Sequence, residues 1–102
     1  MARIQTRGKA NVAKIKKAIT PLLRQNDVIR ASIFGSYARG QEKKNSDVDI
    51  LVKFKGRKSL LNLARLELKI EKKLKKRAEL LTYSSINPHL KERILNEEVR
   101  IL

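Results

Sequence analysis

FGSYARGQEKKNSDVDILV, residues 34–52, joins two apolar segments through a glycine-serine bend and a ten-residue link. Its last part decides the reading. On an extended strand, residues two apart point to the same side. Asp47 and Asp49 therefore present their carboxylates together, while Val48, Ile50 and Val52 fill the opposite side and face a core. Two carboxylates held this close repel each other unless positive charge lies between them. Magnesium favours carboxylate oxygens combined with substrate phosphates, and is the natural occupant. Gly35-Ser36 follows the preceding strand and opens a short helix. A glycine there lets backbone approach a ligand closely. Free N–H groups at a helix start attract phosphate, and Ser36 adds a hydroxyl. Arg39, Lys43 and Lys44 add positive charge nearby. A lone Asp-x-Asp or a lone Gly-Ser carries little weight. Ten residues apart on neighbouring strands, they place a phosphate cradle beside a metal-binding pair, an arrangement suited to phosphoryl or nucleotidyl transfer.

Upstream, apolar residues recur at Val12, Ile15, Ile19, Leu22 and Leu23. This is helical spacing, with lysines on the other side. Pro21 predicts a kink or a restart. Asn26-Asp27 ends the helix, and residues 1–10 are expected to be flexible. Val28 to Phe34 reads as a strand, with Ile29, Ala31 and Ile33 alternating onto one face. Gly40 closes the short helix, and Gln41 to Ser46 is a polar loop in which Ser46 is expected to bond the backbone. Asp47 to Phe54 is the second strand. Ser59 caps a long helix reaching about Lys76, with Leu63, Leu66, Ile70 and Leu74 along one side. Ala78 to Thr82 is a third strand. Asn87-Pro88 starts a last helix, and Val99 to Leu102 adds an edge strand. The alternation predicts a single α/β (α+β) domain over residues 1–102, with a small mixed sheet of three to four strands flanked by helices.

Composition narrows the chemistry. The chain has 102 residues, with 25 Lys and Arg against 10 Asp and Glu, a net charge of +15. The excess is spread: residues 1–50 hold 11 basic and 4 acidic residues, residues 51–102 hold 14 and 6. Such a surface attracts polyanions or an acidic protein. The absence of cysteine excludes disulfides, thiol catalysis and Cys-based zinc sites. His89 is the only histidine, which disfavours His-rich metal sites and Ser-His-Asp triads. Tyr83 and His89 read as surface or cap residues, and Tyr37 as packing or as a wall of the nucleotide site. No apolar run approaches the ~18 residues of a membrane span, and the expected location is the cytoplasm.

Gly35-Ser36, Ala38-Arg39-Gly40 and Asp47-Val48-Asp49 together resemble the signature of the DNA polymerase β-like nucleotidyltransferases, specifically their minimal nucleotidyltransferase branch. The similarity extends over nearly the whole chain, including Leu90 to Leu95. The resemblance implies that Asp47 and Asp49 bind magnesium, with two ions in play, and that Gly35, Ser36 and Arg39 hold the triphosphate of ATP. It also implies a third metal-binding, catalytic carboxylate on a later strand, usually aspartate. Here that position is Glu79, longer by one methylene, about 1.5 Å. A displacement of that order can cost about a hundredfold in rate.

The implied activity is transfer of AMP to a hydroxyl, in this branch a tyrosine of a HEPN toxin for which the transferase is the antitoxin. A domain of this size has little room for an acceptor-recognition domain, so a separate partner is expected; a homo-oligomer also stays open. Two other readings stay open: an antitoxin acting by complex formation with little or no catalysis, and a basic nucleic-acid-binding module. The last has only 4% aromatic residues from which to build a stacking platform.

Overall fold

The computed structural model describes residues 6–102. Helix α1 (Thr6–Gln25) is followed by β1 (Val28–Phe34), the short α2 (Gly35–Arg39), β2 (Val48–Phe54), α3 (Leu60–Leu74), β3 (Ala78–Thr82), a 3-10 turn (Tyr83–Ser85), α4 (Pro88–Glu97) and β4 (Val99–Arg100). The sheet order is β3-β2-β1-β4. β1 runs antiparallel to both β2 and β4, whereas β2 and β3 are parallel and joined through α3. This is the expected mixed α/β sheet of four strands. Among the described residues, no helix is long and apolar enough to cross a membrane.

The two sides of the sheet are covered unequally. Val28, Ala31 and Ile33 of β1, Val48, Ile50 and Val52 of β2, and Ala78 and Leu80 of β3 pack against α1 and α3. The helices contribute Val12, Ile15, Ile19 and Leu23 from α1, and Leu66 and Ile70 from α3, spaced by three or four residues as one helix side requires. The second side carries a smaller cluster of Phe34, Leu51 and Ile86, with Leu81, Tyr83 and Ile94 against it. Because α4 covers only part of this side, polar groups line the remainder.

Several sequence expectations need correction. α1 reaches back to Thr6 and continues through Pro21 without a restart. Pro21 lies on the exposed side of α1, where the carbonyl that loses its N–H partner can be hydrated. The flexibility expected of residues 1–10 lies, for residues 1–5, outside the described residues. In β1 the register shifts between Val28 and Arg30. This bulge turns Val28 into the core and leaves Ile29 51% exposed, so Ile29 does not share the face of Ala31 and Ile33. α3 ends at Leu74, where Lys75 adopts a left-handed conformation (φ 58°). Its start follows expectation: the Ser59 hydroxyl accepts from the Asn62 N–H at 3.2 Å, and the Asn62 side chain accepts from the Ser59 N–H. β4 covers only Val99–Arg100, and Ile101 beyond it is buried in the main core.

Candidate active site

The register of β1 and β2 sets Phe34 opposite Asp49. The chain turns into α2 immediately after Phe34, which carries Gly35 onto the Asp49 carboxylate. A Cβ at Gly35 would stand 2.2 Å from Asp49 Oδ2, and the residue has φ +73°. Backbone conformation and close approach therefore both require glycine. Phe34, in the capping position, supplies no side-chain hydrogen bond to α2. The first N–H groups of Gly35, Ser36 and Tyr37 are thus left without a side-chain acceptor. The glycine-serine bend and the second aspartate are in direct contact.

The parallel register of β2 and β3 sets Glu79 beside Asp49. Asp47 lies one residue before β2 rather than within it, held by the Val48 N–H, which donates to the Arg77 carbonyl at 2.9 Å. Asp47 and Glu79 are exposed and Asp49 is half-buried. Burial raises the Asp49 carboxyl, the Glu79 and Asp47 carboxylates raise it further, and Arg39 lowers it. The result is about 6 in place of the ordinary 3.8. Three acidic groups thus share one end of one sheet face. They do not close on a single point: among the described residues, no three His, Asp or Glu side chains form a group that could hold a metal ion.

The donor set remains suited to magnesium, which is commonly held by one or two carboxylates plus substrate phosphates. Asp47 and Asp49 offer two such carboxylates, and the negative charge of Asp47 and Glu79 around Asp49 suits a cation there.

The supporting residues depart from the sequence reading. Arg39 is turned toward α4: its Nη1 lies 3.1 Å from Glu97 Oε2, and its Nε donates to Gln41 Oε1 at 3.1 Å. Its charge still reaches Asp49, but its hydrogen bonds go to protein. Lys43 lines a cavity on the α1 and α3 side of the sheet, away from the Asp49 carboxylate. Lys44 lines both that cavity and a second one that includes Asp47. Tyr37 is core packing, only 3% exposed. Ser46 closes the loop as expected, accepting from the Lys43 N–H at 2.7 Å. His89 is exposed, and its backbone N–H donates to Asn87 Oδ1 at the start of α4.

Tyr83 is more than a surface residue. Its hydroxyl donates to Ser32 Oγ at 2.9 Å and lies 3.1 Å from Glu98 Oε1. Its ring carries the Arg30 guanidinium 4.8 Å from the centroid. Burial pushes the phenol above its ordinary value. Ser32 and Glu98 are 66 positions apart, so no local pattern reveals this network.

Residues 16–102 match the family described as Polymerase beta, Nucleotidyltransferase. A Methanocaldococcus jannaschii relative, provisionally named protein adenylyltransferase MJ0435, is 54% identical over 92 residues, covering 90% of this chain and 99% of its own. The protein adenylyltransferase MntA of Thermococcus cleftensis is 42% identical over 69 residues, 68% of this chain and 70% of its own. A crystal structure of a toxin-antitoxin with AMP-PNP superposes with a TM-score of 0.76 at 25% identity, covering 85% of this chain and 72% of that one. The chain belongs to the polymerase beta nucleotidyltransferase family, in its minimal branch.

Proposed function

We propose that this chain transfers AMP from ATP to a hydroxyl of a protein partner, a tyrosine of a HEPN toxin, and acts as that toxin's antitoxin. The observation that carries this reading is the contact of Gly35 with the Asp49 carboxylate, which joins phosphate-binding backbone to acidic side chains. The protein adenylyltransferase names of the relatives and the AMP-PNP in the similar toxin-antitoxin support it.

The acceptor oxygen attacks the α-phosphorus of ATP, the bond from that phosphorus to the bridging oxygen breaks, and pyrophosphate leaves. Asp47 and Asp49 would hold magnesium, which neutralises phosphate charge during transfer. The Ser36 hydroxyl and the N–H groups opening α2 orient the phosphates. Glu79, exposed beside Asp49, accepts the acceptor's proton. Alignment accounts for most of the remaining protein contribution.

The test is transfer of label from α-labelled ATP to the partner. The native chain is expected to label the partner's tyrosine. Asp47→Ala with Asp49→Ala is expected to lower the rate on the order of 10³-fold or more, since electrostatic stabilisation dominates phosphoryl transfer. Equal labelling by the double variant would reject the reading. The spread of the three carboxylates favours one alternative, an antitoxin working by complex formation alone. In that case the double variant suppresses toxicity at full strength.

A further inference from the structure

α3 buries Leu66 and Ile70 against the sheet, yet its opposite side is also apolar. Leu61 is 58% exposed and Leu68 66% exposed, with the exposed Ala64 between them. These residues recur at intervals of three and four, so they form one stripe along the helix, turned away from the sheet. Single exposed leucines are ordinary, whereas an aligned set marks a contact surface.

The two flanks of the stripe differ in sign. Glu67 and Glu71 stand on the side toward β3, where Glu71 Oε2 accepts from the Ala78 N–H at 2.9 Å. Arg65, Lys69 and Lys72 stand on the side toward α1, where Lys69 Nζ donates to Asn26 Oδ1 at 3.2 Å. Among the described residues, Arg65, Glu67, Glu71 and Lys72 make no ion pair. Glu67 and Glu71 are four residues apart, a like-charge spacing that by itself disfavours a helix.

An acidic partner would suit the basic flank and be repelled by the glutamates, and a basic partner the reverse. The stripe therefore calls for an occupant that carries an apolar stripe with the signs exchanged across it. A second α3 lying parallel to the first supplies this. A two-fold rotation about an axis along the stripe sets Glu67 and Glu71 of each copy against Arg65 and Lys72 of the other. An antiparallel copy would set glutamates against glutamates. We propose that a second copy of this chain docks on the exposed stripe of α3, helix parallel to helix, through Leu61, Ala64 and Leu68. The positive net charge of each copy does not oppose this, because charges beyond about 8 Å are screened at physiological salt. Val48 and Ile50 of β2 face α3, so Asp49 lies on the other side of the sheet and both active sites stay open in the pair.

The inference is independent of the transfer activity, because its test reads mass and cross-linking. Sedimentation equilibrium of the native chain is expected to show reversible association, at micromolar concentration, to twice the 11.7 kDa of one chain. Leu61→Ser with Leu68→Ser changes only exposed side chains and is expected to weaken association roughly a hundredfold or more. Glu67→Lys with Glu71→Lys is expected to weaken it roughly tenfold. The chain has no cysteine, so Leu61→Cys introduces a single thiol. In the parallel pair it meets its own counterpart and is expected to form a disulfide-linked dimer on mild oxidation. A native chain that stays monomeric overturns the proposal and leaves the stripe to a different protein. Association untouched by the double serine variant overturns it too, as does a Leu61→Cys chain that associates without cross-linking.

Discussion

Asp49 and Glu98 are both carboxylates on the same side of the sheet, and the protein treats them in opposite ways. Glu98, at the end of α4, accepts from the Ser32 hydroxyl at 2.5 Å, meets the Tyr83 hydroxyl and lies 3.8 Å from the Arg30 guanidinium. Two hydroxyls and a guanidinium stand around it. Asp49 has Glu79 beside it, Asp47 two residues away and the Gly35 backbone pressed on its oxygen. The surroundings of Glu98 stabilise a fold, whereas those of Asp49 oppose its own negative charge. A carboxylate left in such company marks a site where an external positive charge is expected. One carboxylate is neutralised by its neighbours within the fold; the other is left among like charges at the end of the sheet.

The sharpest way to break the contrast is at Gly35. Gly35→Ala forces a Cβ to within 2.2 Å of Asp49 Oδ2 at φ +73°. The left-handed conformation alone costs about 1–2 kcal/mol. Displacing Asp49 by about 1 Å is expected to slow transfer roughly a hundredfold. Label-transfer rates and thermal unfolding of the same variant read both effects. A variant with native activity would show that the contact does not position the site.

Next comes the pH dependence of stability. The Asp49 carboxyl titrates at about 6 in the fold against 3.8 ordinarily, so the native state holds its proton more tightly than the unfolded chain. Its contribution is neutral below pH ~4, becomes destabilising as pH rises from ~4 to ~6, and stays constant above. The group is half-exposed, so the penalty is discounted to about 1 kcal/mol. Asp49→Asn is expected to raise stability by about that much at pH 7 and to flatten the slope between pH 4 and 6. Denaturant titration across that range checks it. An Asp49→Asn chain less stable than native at pH 7 would contradict the account.

The opposite signature is expected from the Glu98 network. Tyr83→Phe removes one hydroxyl from Ser32 and Glu98 and is expected to cost about 1 kcal/mol in denaturant unfolding, with label transfer changed less than twofold. A large loss of activity would instead tie the network to catalysis. The smallest effect is expected at the Arg39–Glu97 pair, both of whose side chains are partly open to solvent. Glu97→Gln is expected to leave thermal unfolding nearly unchanged, because exposed ion pairs contribute little. Because it releases the Arg39 guanidinium, it also tests whether that charge can serve the phosphates: tighter ATP binding would show that it can.

Much of this molecule was legible from local sequence. Asp47, Asp49 and the glycine-serine bend announce themselves through strand alternation and turn chemistry, which depend only on neighbours along the chain. The helical spacing of Val12, Ile15 and Ile19 and the Ser59 cap are of the same kind. Tertiary structure decided what depends on distant partners. The bulge that turns Val28 inward and Ile29 outward arises from pairing with β2. Arg39 is claimed by a glutamate 58 positions away. Glu42, polar and in a loop, is buried because Asn11 and the helices surround it. Periodicity fixes which side of an element a residue occupies. What that side meets depends on long-range packing, which no short stretch of chain encodes.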